Sequence, residues 1–211
     1  MALTRDNSTP FVTIALLEKI AGQTLPEIFR LAAAVRVRRI DAGGAIFHQD
    51  EAHPFLYVVL EGVVKLVYLR PDGKEGIKSF IEERQFFASL SALSPQGRTS
   101  FSAVALGPCR LEYIPFSVLR DLADGDLAWS RMMRNAVMAF AERKERRERD
   151  FLTLDAEERY RMLLADTPGL VARVPQKDLA SYLGITPVGL SRIAKRVKGS
   201  PLNKDRKRDS F

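Results

Sequence analysis

Cysteine and histidine are nearly missing from this chain: 211 residues carry one Cys, two His and one Trp. A single thiol, Cys109, excludes an internal disulfide and any iron–sulfur cluster held by the cysteines of one chain. It stands in the apolar run CRLEYIP and reads as a small buried strand residue. His48 and His53 flank Asp50 and Glu51 in what reads as a surface loop. Two imidazoles are a poor basis for a metalloenzyme site, and no Ser/His/Asp or Cys/His set can be assembled from them. No catalytic or metal-binding residue is therefore expected. A cupin-like metalloenzyme is the enzymatic alternative, and metal analysis of the purified protein would test it. Long hydrophobic runs are missing too. No stretch reaches the roughly 18 apolar residues of a membrane span. The opening MALTRDNSTPFVTIALLEKI has no basic-then-apolar signal design. No membrane partner and a cytoplasmic location are the expectations.

What is present is a strongly uneven charge. The chain is +7 overall, and residues 173–211 hold ten Lys/Arg against three Asp/Glu, so they carry all of it. The preceding 172 residues hold 23 of each sign. Such a split fits a terminal module that neutralises phosphates on a body with another task. The end, KGSPLNKDRKRDSF, reads as a basic tail for backbone contacts or for solubility.

Within that basic region QKDLASYLGITPVGLSRIAKRV (176–197) spells two short helices and a tight turn. Leu179, Ala180 and Leu183 recur at helical spacing. Gly184 suits the left-handed end of the first helix because it lacks a Cβ. Thr186 caps the second helix and Pro187 fits its first position. Leu190, Ile193 and Val197 form the buried stripe, leaving Ser191, Arg192 and Lys195 outward. This is the anatomy of a helix-turn-helix whose second helix enters a major groove. An ordinary helical hairpin with a solvated basic face has the same grammar.

Short strands broken by turns fill the middle. Val35–Asp41, Tyr57–Leu60, Val63–Tyr68, Ile77–Ile81, Phe101–Leu106 and Cys109–Ile114 are β-rich, with turn signals at Gly43-Gly44, Glu61-Gly62 and Pro71-Asp72-Gly73. Their regular spacing predicts an antiparallel sandwich or roll. Val12–Ala34 reads as two helical pieces divided before Pro26. Ser117–Ala123 is a short helix and Asp126–Phe151 a long one. In the long helix Trp129, Met133, Ala136 and Phe140 share one seam. The seam packs either on the β body or on a second copy of the chain. Asp155 and Glu158 form a capping-box start for AEERYRMLLAD.

The layout as a whole resembles the Crp–Fnr superfamily of bacterial transcription regulators. GGAIFHQDEAHPFLYVVLEGVVKL is similar to the opening of that family's cyclic-nucleotide-binding β-roll, RTSFSAVAL to its phosphate-contact region, and CRLEYIPFSVLRDL to the exit into its dimer helix. FLTLDAEERYRMLL resembles the hinge and first helix of the DNA-binding domain, and LASYLGITPVGLSRIAKRV its helix-turn-helix. The resemblance implies an α+β chain in three parts. Residues 1–123 are an antiparallel β-roll of the double-stranded β-helix or jelly-roll type with N-terminal helices, 124–151 a long dimerisation helix, and 152–211 a winged helix-turn-helix with a basic tail. It further implies a homodimer on a palindromic site of double-stranded DNA, an effector in the roll, and RNA polymerase as a further partner. A nucleotide-binding regulatory protein that does not act on DNA is the other alternative, and a gel shift would decide.

The resemblance carries its functional positions onto this sequence with departures. The effector cassette maps to Phe87, Ala88, Ser89, Leu90, Arg98 and Thr99. Phe87-Ala88 stand where cyclic-AMP readers carry Gly-Glu, so a ribose hydroxyl loses a charge-assisted acceptor worth ~1.5–3 kcal/mol. Arg98-Thr99 remains, Arg98 being either a structural ion-pair partner or an anion ligand. The base-contacting hydroxyl pair of the dimer helix aligns with Lys144-Glu145. A small anionic effector or a cyclic nucleotide is the cofactor class implied, with cyclic AMP bound weakly or not at all. For DNA, Lys177, Thr186, Pro187, Val188, Gly189, Ser191, Arg192 and Lys195 are the expected contacts. Pro187-Val188 replace the Arg-Glu pair of the Crp operator reader, so a different half-site is expected.

Overall fold

The structure is a computed structural model that describes residues 11–199 apart from Asp72 and Lys74. The basic stretch beyond Gly199, the segment 1–10 and the centre of the Pro71-Asp72-Gly73 turn lie outside the described residues. The chain divides into two compact units, 1–146 and 147–211.

The first unit starts with α1 (Val12–Ala21) and α2 (Ile28–Ala34), separated around Pro26 as the sequence predicts. Eight strands follow: β1 (Arg36–Ile40), β2 (Ala45–Phe47), β3 (Phe55–Glu61), β4 (Val64–Leu69), β5 (Glu75–Ile81), β6 (Phe86–Phe87), β7 (Ser102–Ala105) and β8 (Cys109–Pro115). One turn of helix, α3 (Leu90–Leu93), lies between β6 and β7. The strands form two antiparallel sheets, β1-β8-β3-β6 and β2-β7-β4-β5. Their inner faces meet in a core containing Phe47, Tyr57, Val59, Leu66, Phe87, Phe101 and Leu111. Period-two alternation explains this. On β8, Cys109 and Leu111 point into the roll, whereas Ile114 points outward to the helices.

Gly62 turns β3 into β4 with φ +96°, and a Cβ there would stand 2.5 Å from the Cys109 sulfur. The glycine lets two backbones meet, and Cys109 is a packed strand residue, 4% exposed.

A second core, on the outer face of the β1-β8-β3-β6 sheet, joins Leu17, Leu31, Ile114, Leu119, Leu122, Trp129 and Met132. It draws on α1, α2, α4 (Phe116–Gly125) and the start of α5 (Leu127–Thr153). Glu112, buried on β8, reaches the free amides at the start of α1. Its carboxylate accepts from Val12 N at 3.2 Å and Thr13 N at 2.7 Å. A buried carboxylate placed on unpaired helix amides is satisfied by both hydrogen bonds and the helix dipole.

The seam on α5 is resolved by this core. Trp129 is fully buried, its Nε1 donates to Pro26 O at 2.9 Å, and Met133 and Ala136 pack against the same cluster. This stretch of the seam therefore packs within its own chain. The exposed large apolar side chains of the helix are Leu127, Val137 and Met138 in the first unit and Phe151 and Leu152 in the second.

In the second unit, the end of α5 is followed by α6 (Ala156–Asp166), α7 (Pro168–Arg173), α8 (Gln176–Leu183) and α9 (Pro187–Gly199). The capping box is formed: Asp155 accepts from Glu158 N at 2.8 Å and Glu158 accepts from Asp155 N at 3.0 Å. No strand occurs among the described residues of this unit, and a wing after α9 would fall beyond them. No helix among the described residues is long and apolar enough to cross a membrane.

Candidate functional site

Two sites stand in separate units. In the second, α8 ends at Gly184 with φ +74°, its amide donating to Ser181 O at 3.1 Å, and Ile185 N closes on Ala180 O at 3.0 Å. Such paired closures are how a left-handed residue ends a helix. Thr186 Oγ1 accepts from Gly189 N at 3.1 Å and caps α9, whose first residue is Pro187. Leu190, Ile193 and Val197 are buried on one side of α9.

The other side carries Val188, Ser191, Arg192 and Lys195, all exposed and spaced i, i+3, i+4, i+7. The side chains of Arg192, Lys195 and Ser191 make no hydrogen bond or ion pair among the described residues. The same holds for the exposed Lys177 on α8. Thr186 and Gly189 serve the cap, and Val188 exposes 62% of its surface. Arg196 differs: its Nε and Nη2 both lie 2.8 Å from a Glu157 oxygen, and Arg161 Nη2 donates to the same carboxylate at 2.8 Å. These hydrogen bonds, from Arg161 first and Arg196 next, hold the Glu157 carboxyl below the usual range. Arg196 thus ties α9 to α6.

Residues that the sequence did not mark hold the turn in place. Arg147 Nη2 donates to Tyr182 O at 3.1 Å, with the guanidinium 3.9 Å from the centre of the Tyr182 ring. Arg159 Nη2 donates to Leu183 O at 3.0 Å and covers the Phe151 ring at 4.6 Å. Two cations thereby satisfy the last carbonyls of α8, where the helix dipole is negative. The density of arginine in ERKERRERD hints at Arg147 without saying which side chain turns inward, and Arg159 stands apart in AEERYRMLLAD with no such signal.

In the first unit the cassette residues gather around the ends of β6 and β7, and their polar groups are already engaged. Thr99 donates through N to Glu51 O at 2.8 Å and through Oγ1 to His48 O at 2.5 Å. It accepts at Oγ1 from Glu51 N at 2.9 Å and at O from Asp50 N at 2.8 Å. Ser89, 1% exposed, accepts from Ser100 N at 3.0 Å and lies 3.3 Å from the Ser91 hydroxyl. Arg98 is exposed and its Nη1 donates to Asp50 O. Phe87 is buried in the roll core, Ala88 is half-buried and Leu90 is exposed. Lys144 is exposed on α5, 5.6 Å above its neighbour Phe140.

The interior beside the cassette is filled with rings. Tyr57 stacks on Phe87 at 5.1 Å, on Tyr113 at 5.6 Å and on His53 at 5.8 Å. His53 departs from the expected surface loop: its ring is half-buried, and Nε2 lies 2.7 Å from the Tyr57 hydroxyl. Burial lowers the imidazole below its ordinary value, with Glu51 opposing and Arg38 adding to the shift. Burial likewise pushes the Tyr57 phenol up to about 12, against Arg38. Both rings are neutral near pH 7. Among the described residues no group of three or more His, Cys, Asp or Glu is placed to hold a metal.

Comparison with known proteins agrees with this anatomy. Residues 37–126 match the cyclic nucleotide-binding domain family. The nitrogen fixation regulation protein FixK of Bradyrhizobium diazoefficiens is 25% identical over 191 residues, covering 85% of this chain and 78% of that protein. The transcriptional activatory protein AadR of Rhodopseudomonas palustris is 25% identical over 203 residues, covering 90% and 81%. The solved structure of FixK2 from Bradyrhizobium japonicum superposes with a TM-score of 0.68 at 20% identity, covering 78% of this chain and 85% of that one. The β-roll, the domain match and these relatives define a sensor-type regulator with a helix-turn-helix. Over most of its length the chain resembles DNA-binding transcription regulators of the Crp–Fnr superfamily.

Proposed function

We propose that the chain works in the cytoplasm as a homodimer that binds a palindromic DNA site and is modulated by a small molecule in its β-roll. The observation that carries this is the exposed stripe Val188, Ser191, Arg192 and Lys195, opposite the buried Leu190, Ile193 and Val197. A helix divided in this way seats one face on its own domain and offers the other to a major groove. Arg192 is the base reader, because a guanidinium with no partner suits the O6 and N7 of guanine. Lys195 and Lys177 hold phosphates, and Ser191 contacts a base or a phosphate. Val188 offers methyl groups to a thymine methyl. Dimerisation uses the exposed α5 face bearing Val137 and Met138.

Cyclic AMP is not the effector in this proposal. Phe87-Ala88 supply no carboxylate for the ribose, and Thr99 is committed to the 48–51 loop. Calorimetry tests this: micromolar cyclic-AMP binding that disappears in Arg98→Ala would overturn it. For DNA, binding to a panel of sites at several salt concentrations is the test. Arg192→Ala is expected to erase preference among sites. Lys195→Ala is expected to weaken all sites and reduce the salt slope by about one. Equal loss of both properties in the two variants contradicts the assignment.

A further inference from the structure

We propose that the cleft between α2 and the neighbouring ends of β1, β3 and β8 binds a planar aromatic anion, of the aryl carboxylate class. It deepens the proposed function, resting on the β-roll as an effector sensor, but places the ligand outside the cyclic-nucleotide cassette. The cleft is a solvent-open depression of about 530 Å³. Arg30, Ala33 and Ala34 of α2 form one wall, and Arg36, Phe55 and Tyr113 of the strands form the other.

Charge selects the ligand's sign. No acidic side chain lines the cleft, and two guanidinium groups do. Arg36 is braced: Nη1 donates to Ala33 O at 2.7 Å and Val35 O at 2.9 Å. Its Nε and Nη2 have no acceptor among the described residues, and a braced guanidinium with free N–H groups matches a carboxylate fork. Arg30 pairs with Glu27 at 2.9 Å, but both side chains are about half exposed, 46% and 52%. Such a surface pair contributes little, so Arg30 exchanges it readily for a ligand carboxylate.

The walls select the rest of the molecule. Phe55 and Tyr113 meet edge-to-face at 5.8 Å and 72°. Tyr113 stacks on Tyr57, and Tyr57 on Phe87 of the cassette. A ring seated against Phe55 and Tyr113 continues a stack that already runs to β6, and aromatic contacts of this kind add to simple burial. The lining offers few polar groups beyond the two arginines and one phenol, so a sugar phosphate would leave its hydroxyls unpaired. A cation is repelled. By contrast, an anion entering the cassette must displace the bonds of Ser89, Arg98 and Thr99 to their own chain.

Calorimetry on the full chain tests the site with naphthoate, with the uncharged naphthalenemethanol, and with inorganic phosphate, which has no ring. Naphthoate alone is expected to bind. Arg30→Gln is expected to weaken it about tenfold, the loss of one charge-assisted contact. Tyr113→Leu is expected to weaken it as well, and Arg98→Gln to leave it unchanged. Because Arg36 also braces the end of α2, Arg30 is the better arginine to change, and the fluorescence of Trp129 verifies the fold of each variant. The proposal is overturned if naphthoate gives no heat at millimolar concentration, if naphthalenemethanol binds equally well, or if Arg98→Gln abolishes binding while Arg30→Gln does not. A parallel titration on DNA separates the two claims. Naphthoate binding without any change in DNA affinity keeps the site and overturns the sensor role. Intact DNA recognition with no naphthoate binding overturns the site alone.

Discussion

Replacing Gly184 by alanine puts the turn of the helix-turn-helix under a defined load. At φ +74° an L side chain is strained, by roughly 1–2 kcal/mol for a left-handed residue. The new Cβ would also stand 2.9 Å from Phe151 Cζ and 3.1 Å from its Cε2. Overpacking costs about 1–3 kcal/mol, and here the low end applies, because Phe151 is 47% exposed and its ring can swing outward. Against this, alanine stiffens the unfolded chain and returns about 0.4–1 kcal/mol. The net loss is on the order of 1–2 kcal/mol, about a tenfold shift in the folding equilibrium of the second unit.

The single Trp129 lies fully buried in the first unit, whereas the described part of the second is all helix. Denaturation followed by far-ultraviolet dichroism is therefore expected to show an earlier helical transition, while Trp129 fluorescence keeps its midpoint. Phe151→Leu in the same chain removes the ring contact but not the backbone strain, so the two changes should not add. A neutral or stabilising Gly184→Ala, or a shift of the Trp129 transition alone, would mean that neither the backbone strain nor the Phe151 contact limits this turn.

Other outcomes follow from the same contacts. Thr186→Ala removes the acceptor for Gly189 N and should cost the second unit ~1 kcal/mol, recovered by Thr186→Ser, as measured by the dichroism midpoint. Burial raises Tyr57 from 10.0 to about 12, so the unfolded phenol ionises first as pH rises. Stability from this group is complete below pH 10 and is lost towards about 12. Tyr57→Phe should flatten that alkaline limb in denaturant midpoints, and an unchanged slope contradicts the assignment. Glu157→Gln releases Arg196 and Arg161, so affinity for nonspecific DNA should rise with a steeper salt slope, as read by anisotropy.

Much of the architecture was legible because it is local. The helix-turn-helix depends on a glycine in one conformation, a hydroxyl at one cap and a stripe at one spacing, and all three stand at the expected residues. Strands β3, β4, β5 and β8 carry enough β-branched and aromatic residues to declare themselves. The three-residue β2, the two-residue β6 and the single turn α3 are too short for periodicity, and contacts from neighbouring strands form them.

The seam on α5 shows a different limit. Its spacing states that one face is apolar but not what covers it, and the fully buried Trp129 is covered by its own chain. The alternation in Val35–Asp41 was visible as a strand, yet its arginines gain meaning only when the β8 register sets Arg36 beside Tyr113. The clamp of Arg147 and Arg159 on the α8 carbonyls was hidden for the same reason, since long-range partners leave no spacing in the sequence.

If α9 reads DNA as one half of a two-fold pair, the preferred site is palindromic and depends on Arg192. Selection of bound sequences from a random duplex pool, run with the wild-type chain and with Arg192→Ala, tests it most directly. Enrichment of a two-fold symmetric site with half-sites about one helical turn apart is expected, with loss of that enrichment in Arg192→Ala. Binding with no enriched sequence, or the same palindrome selected by both chains, would contradict it.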